Sequence, residues 1–364
     1  MARTGSFPLS VPWSLLTAFC SSGSIILDPF CGKGTTLLAA RLLGHRAYGL
    51  DVSPEAVICS KAKLLSTSIE EVEDFISTIP TTCTRIEDVP SRVSVFFHPD
   101  TLGQLLTVRG FLLSSMRSPD ASVARCATFV TAVALGILHG HATYSLSIAS
   151  SHAFSMSPGY VSRFAARHSL PLPVRDVRAC LLTKAALCLK QATPRPRGQV
   201  KLGSAFDMTR LFPSLQSRVD AIITSPPYMN RQTYAKDNWL RLWFLETDTK
   251  TIRAQSLETA SASRYLQSMR LLVQQASRML KHKGALICVV GDVRSSGKAR
   301  EIINTADLLV AAVREAAPML TVESCTRQDF KPTSRYFNAL AKSNGHTNVA
   351  LPERVIVIRK GSGK

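Results

Sequence analysis

Two short stretches of this chain hold residue types that could do chemistry. Thr224-Ser225-Pro226-Pro227-Tyr228 follows the hydrophobic run from Ala221 to Ile223 and holds two consecutive prolines. A proline has no backbone N–H, so the loop offers acceptors, chiefly the Ser225 side chain and the Pro226 carbonyl. Such a pair can bind the hydrogens of an exocyclic amine, draw its lone pair out of conjugation and aim it at an electrophile. Tyr228 can stack on the ring that carries the amine. The other stretch is Asp28-Pro29-Phe30-Cys31-Gly32-Lys33-Gly34-Thr35-Thr36. Gly32 and Gly34 let the backbone turn tightly and let a ligand approach it, and the helix start behind them offers N–H groups. Asp51, farther along, suits hydrogen bonds from two ribose hydroxyls. Lys33 sits inside the turn rather than at its end, which excludes a P-loop, and the glycine spacing differs from Gly-x-Gly-x-x-Gly.

Strands and helices must bring these stretches together. Ile25 to Leu27 reads as a short buried strand, Thr35 to Leu43 as a helix stopped by Gly44, and Arg46 to Asp51 as a second strand, which makes one right-handed βαβ unit. Ala221 to Ile223 reads as another buried strand, Ala262 to Leu280 as an amphipathic helix, and Ala285 to Asp292 as a central strand with a loop at its end. Ile302 to Ala317 is expected as a helix and Glu353 to Ile358 as the closing strand.

The Asp-Pro-Phe-x-Gly-x-Gly-Thr-Thr segment resembles the S-adenosylmethionine-binding motif of Rossmann-like methyltransferases, in the form seen in DNA amino-methyltransferases. Thr224 to Tyr228 resembles the catalytic Ser-Pro-Pro-Tyr loop of the same family. The resemblance implies an α/β, Rossmann-like class I methyltransferase fold: a mostly parallel seven-stranded sheet with helices on both faces, plus a helical, irregular insertion. It implies S-adenosylmethionine held by Phe7 and Pro8, ahead of the first strand, and by Asp28, Pro29, Phe30, Gly32, Gly34, Thr35 and Asp51. Related enzymes often carry an acid after the glycine at position 203; Ser204 stands there, which passes that role to Asp207 or to no side chain. The resemblance makes Ser225, Pro226, Pro227 and Tyr228 the catalytic set and double-stranded DNA the partner, its target base flipped out of the stack. The serine form of the loop favours cytosine N4 over adenine N6. An RNA guanine-N2 methyltransferase and a dead, nucleic-acid-binding methyltransferase fold are the rivals. The cofactor motif precedes the catalytic one, opposite to many N4 enzymes, and no Pro-Cys nucleophile for carbon-5 methylation occurs.

Composition agrees with a nucleic-acid partner. The 364 residues are 45% hydrophobic, enough for a large core, and carry a formal net charge of +19 that a polyanion would offset. Nine cysteines without a C-x-x-C pair suggest a reducing, cytoplasmic setting. The longest apolar run, from Ala127 to Leu138, is too short to span a bilayer, and Pro8 and Pro12 argue against a signal peptide. His139, His141 and His152 have no cysteine or carboxylate at ligand spacing, so no metal is expected. The expected organisation is a cofactor-binding half over 1–95, a helical and basic insertion over 96–198 as the candidate DNA-recognition region, and a catalytic half over 199–364. Within the insertion, Tyr160 and Phe164 are interleaved with Arg163, Arg167 and His168, types that stack on bases and contact phosphates.

Overall fold

The computed structural model describes residues 8–84, 86, 89–149, 157–229, 234–257, 259–294, 301–328 and 353–361. Its main sheet has seven strands: β1 (Ile25–Asp28), β2 (Arg46–Asp51), β3 (Gly198–Leu202), β4 (Val219–Thr224), β5 (Leu280–Gly291), β6 (Leu320–Gln328) and β7 (Glu353–Lys360). They lie in the order β3-β2-β1-β4-β5-β7-β6. The first five strands pair in parallel, while β7 runs antiparallel to both β5 and β6. This is the Rossmann-like class I methyltransferase fold that the motifs imply. The chain winds outward from β1 to β3 and then returns to the other side of β1 with β4. At that change of direction the loops beyond β1 and β4 diverge, and a crevice opens at the carboxyl ends of the strands.

Both faces of the sheet are covered, as nearly continuous apolar strands require. Alternate residues point to opposite sides: Ile26, Ala221, Ile223 and Ile287 join Leu16, Leu37 and Val57 on one face. Leu27, Ile222, Leu286 and Cys288 join Leu272, Val273, Leu309 and Val313 on the other. The helix Thr35–Leu42 behind β1 ends as its glycine signals: Gly44 has φ +77°, its N–H donates to Arg41 and that of His45 to Ala40. At the opposite edge of β1, Asp220 accepts from the Ile25 N–H at 2.7 Å and pairs with Lys281, which aligns the starts of β1 and β4.

A layer of helices stands beside this sheet. Ile69–Ser77, Pro99–Ser115, Ala121–Ile137 and Val177–Leu189 share one apolar core, centred on Val130, Leu135, Leu105 and Leu181, which Leu240 and Phe244 also enter. Local capping fixes where these helices begin. Ser68 and Glu71 form a reciprocal capping box, and Asp120 accepts from the Ser122 and Val123 N–H groups. Arg41 donates to the carbonyls of Pro194, Lys63 and Leu65, which pins the far end of the helical segment back onto the sheet.

One expectation shifts. The helix anticipated from Ile302 starts at Thr305 with Asn304 as its cap, because Ile302 and Ile303 pair antiparallel with Val293 and Arg294. Within the segment expected as a helical and basic insertion, Pro158–Arg167 forms a helix capped by Ser157. Among the described residues no helix is long and apolar enough to cross a membrane.

Candidate functional site

The two motif loops leave neighbouring parallel strands at the same end of the sheet. Ile26 pairs with Ala221 and Leu27 with Ile222, so Asp28 and Thr224 arrive side by side. The buried Thr224 hydroxyl donates to Asp28 Oδ1 at 2.7 Å, and the Phe30 N–H donates to the same carboxylate oxygen at 3.1 Å. Burial raises the Asp28 carboxyl to about 6, against the opposing pull of these hydrogen bonds. Asp28 therefore acts as a rivet between the loops, and its proton is the more easily held for being out of water.

The glycine turn follows directly. Gly32 and Gly34 have φ +50° and +74°, a region that disfavours side chains, and Gly34 serves as the N-cap of the next helix. A Cβ on Gly34 would lie 2.8 Å from Ser60 Oγ and 3.1 Å from its Cα. The Ser60 hydroxyl in turn donates to the Gly32 carbonyl at 2.7 Å, and Lys63 Nζ donates to the Lys33 carbonyl at 2.5 Å. Asp51 closes the other side: it accepts from the Gly32 N–H and the Ser53 N–H, each at 2.9 Å. One carboxylate thus ties the turn after β1 to the end of β2. Each of its oxygens retains a further acceptor site.

Around these loops lies a cleft of about 940 Å³, its solvent-open mouth included. Asp28, Pro29, Phe30, Gly32, Thr35, Asp51, Ser225 and Pro227 line it. The other anticipated residues stand elsewhere. Gly34 packs against Ser60. Pro226 is buried beneath the loop. The ring of Tyr228 lies over Gly291, where an added Cβ would come within 3.2 Å, and its hydroxyl donates to Glu353 Oε1 at 3.1 Å. Pro8 starts the turn into the helix Ser10–Phe19. Phe7 lies outside the described residues. Asp207 is outside the cleft lining, half-exposed and paired with Arg210 at 2.9 Å, because a tight turn over Ala205–Asp207 presents Phe206 instead. Asp292, at the end of β5, is buried and paired with Arg354.

Sequence reasoning missed several lining residues. Val52 and Ser53 simply extend the Asp51 loop, and Phe206 sets its ring edge-on to Phe30 at 6.4 Å. An aromatic just beyond Gly203 was the available signal for Phe206. Ile252, Gln255, Ser256 and Leu257 approach from the helix Thr249–Gln255 and the residues after it. Their arrival depends on the tertiary path of the chain, so no local pattern marks them.

The cleft suits S-adenosylmethionine on the chemistry of its donor set. Asp51 would hold the ribose hydroxyls, Phe30 and Phe206 the flat adenine, and the backbone of the Gly32 turn the polar methionine end. His139 is buried, with Nδ1 2.6 Å from Ser147 Oγ. No group of three potential metal ligands occurs among the described residues.

Residues 3–62 match the family described as DNA methylase. The chain is 26% identical over 256 residues to the Type II methyltransferase M.BsoBI of Geobacillus stearothermophilus, a match covering 64% of this chain and 49% of that protein. A second relative, the Type II methyltransferase M.MjaI of Methanocaldococcus jannaschii, is 42% identical over 50 residues, 14% of this chain and 16% of its own. Among solved structures, TrmN from Thermus thermophilus covers 98% of this chain and 50% of its own with 12% identity and a TM-score of 0.38. The chain therefore spans about half the length of M.BsoBI and less of M.MjaI. The glycine turn lies inside the segment that matches the DNA methylase family, and the Ser-Pro-Pro-Tyr loop stands beside it on the neighbouring strand, which makes the DNA amino-methyltransferases the family this chain resembles.

Proposed function

We propose that this protein transfers a methyl group from S-adenosylmethionine to an exocyclic amine of a base in DNA, and that the position is cytosine N4. The observation that carries this reading is the hydrogen bond from Thr224 to Asp28, which sets the acceptor loop and the glycine turn against each other at one end of the sheet. Bound at the turn, the cofactor supplies an electrophilic methyl. The chain's own part is to place and polarise the nucleophile. Ser225 and the backbone carbonyls of its loop accept the amine hydrogens, which keeps the nitrogen lone pair free for in-line attack. Glu353 fixes the Tyr228 hydroxyl, so the ring is held in one plane for stacking. The bound cofactor would supply the methyl and keep the electrons of the broken C–S bond, and the amine oriented by Ser225 would give up one proton to solvent. No covalent enzyme intermediate enters.

The serine at position 225 is the form of this loop that, in the family the chain resembles, goes with cytosine N4. DNA as partner accords with the net charge of +19 and with the helix Pro158–Arg167. On that helix Tyr160 and Phe164 stack at 6.0 Å, next to exposed Arg163, Arg167 and His168. Incubation with radiolabelled cofactor and mixed DNA, followed by digestion to nucleosides, should yield labelled N4-methylcytosine. Label in N6-methyladenine alone would overturn the cytosine assignment, and the absence of labelled nucleoside would overturn DNA methylation.

A further inference from the structure

A second concavity lies on the helical layer, away from the cofactor cleft. Arg92, Arg109, Lys236, Trp239, Trp243 and Glu246 form most of its wall. Trp239 and Trp243 stand one turn apart on the helix Trp239–Phe244, both half-buried, so neighbouring indoles border the same groove. The Arg109 guanidinium sits 4.8 Å above the Trp243 ring, donates to the Trp243 and Phe244 carbonyls and pairs with Glu246 at 3.2 Å. Arg109 thus neutralises Glu246 and holds the helix in place. The remaining acid, Asp248, caps the next helix by accepting from the Lys250 N–H at 3.0 Å. Arg92, 5.7 Å over the Trp239 ring, and Lys236 are the exposed cations at the rim.

The groove and the cofactor cleft are back to back. Ala235 lines the groove, Ile252 lines the cleft, and the two side chains meet with Leu242 in one small apolar cluster. A single layer of side chains therefore separates the two concavities. The wall between them is built from the chain that follows the Ser-Pro-Pro-Tyr loop.

We infer that this groove takes a nucleotide of the DNA strand next to the target base, its base against the Trp239 indole, from which the exposed Arg92 swings onto the phosphate beside Lys236, while Arg109 keeps Trp243 as the fixed wall. The inference rests on the proposed DNA methylation and extends it to a residue set for strand contact. An indole face accepts any base, and a guanidinium and an ammonium at the rim match one phosphate. A nucleotide extruded into the cleft leaves its neighbour partly unstacked, and the groove offers that neighbour a surface on the other side of the wall.

The test uses the full chain and end-labelled duplex DNA of mixed sequence, with binding measured across a salt series. The double variant Arg92→Gln/Lys236→Gln should bind about tenfold more weakly and lower the salt slope by about one, while calorimetry finds S-adenosylmethionine affinity unchanged. Trp239→Leu should weaken DNA binding about tenfold and Trp239→Phe much less, since phenyl preserves the stacking face. A double variant that matches the unaltered protein in affinity and slope overturns the groove while leaving methylation standing. Unaltered protein that fails to bind DNA overturns both.

Discussion

The two concavities differ in what builds them. The cofactor cleft is made at strand ends, where backbone groups of the Gly32 turn and carboxylates of Asp28 and Asp51 do the holding, and its parts are tied by bonds of 2.7 to 3.1 Å. The tryptophan groove is made on a helix surface, and side chains supply its indole and cation contacts. Sites on a sheet's carboxyl edge inherit their geometry from strand register. Sites on a helical layer inherit theirs from packing, and they tolerate more change in sequence. Substitutions can therefore separate stability from chemistry, and each pair of outcomes below either sharpens this contrast or breaks it.

The largest effect should come from the layer's core. Leu135 is fully buried among the helices, and Leu135→Ala removes apolar contacts and leaves a cavity. Urea unfolding should show a loss of about 3 kcal/mol, within the usual range for such truncations. Cofactor affinity of the folded fraction should stay within about twofold. An equal collapse of cofactor binding would mean that the layer and the cleft are one mechanical unit.

Asp28 gives the opposite result, a gain in stability at a loss of function. Its carboxyl is raised from 3.8 in the unfolded chain to about 6 in the fold by burial. The folded state thus binds the proton more tightly, so its contribution is present below pH 4 and lost as pH rises through about 6. A shift of about two units corresponds to about 3 kcal/mol. Asp28→Asn keeps an acceptor for Thr224 and has no proton to lose. The stability of the variant relative to the unaltered protein should therefore rise by up to about 3 kcal/mol between pH 4 and pH 7, read from urea midpoints at each pH. Methyl transfer should fall at the same time, because the neutral amide holds the Phe30 turn less firmly. A pH-independent difference would show that the carboxyl is hydrated in solution.

The same contrast decides how much could be read beforehand. The βαβ unit, the strand before the acceptor loop and the two motifs were legible because Gly32, Gly34, Gly44, Pro226 and Pro227 punctuate short apolar runs. Local backbone chemistry is a short-range signal, whereas the pairing of Ile26 with Ala221 joins residues far apart in sequence. Asp207 was a candidate on position alone, yet a three-residue turn exchanges it for Phe206 at the cleft. Ile252 to Leu257 carried no signal, since only the fold returns them to the cofactor side. The same holds for the groove: Arg92 and Trp239 are far apart in sequence and meet through helix packing.

Asp51→Ala tests the strand-end design at the level of the ligand. The carboxylate bridges the Gly32 and Ser53 N–H groups and is the residue best placed for the ribose hydroxyls. Its removal leaves two donors without their partner and deletes a charge-assisted contact to the ligand, together worth about 2 to 3 kcal/mol. Calorimetry should find cofactor affinity lower by about 100-fold. Because the carboxylate is half-buried at a loop, the unfolding midpoint should change little.

The smallest effect should come from Gly291→Ala, and it separates a packed aromatic from a freely placed one. The added Cβ would lie 3.2 Å from Tyr228 Cε2 and 3.4 Å from Cζ, tighter than an ordinary contact. The ring must yield by a few tenths of an ångström, and the hydrogen bond from its hydroxyl to Glu353, at 3.1 Å, resists that motion. Cofactor binding does not involve this ring and should be unchanged. Under the proposed function base stacking does involve it, so kcat should fall several-fold, on the order of 1 kcal/mol in barrier. Tyr228→Phe frees the ring from Glu353 without new bulk, and combining it with Gly291→Ala should restore part of the lost rate. Failure of that rescue would mean that the Tyr228 hydroxyl, and not the plane of its ring, is what the loop contributes.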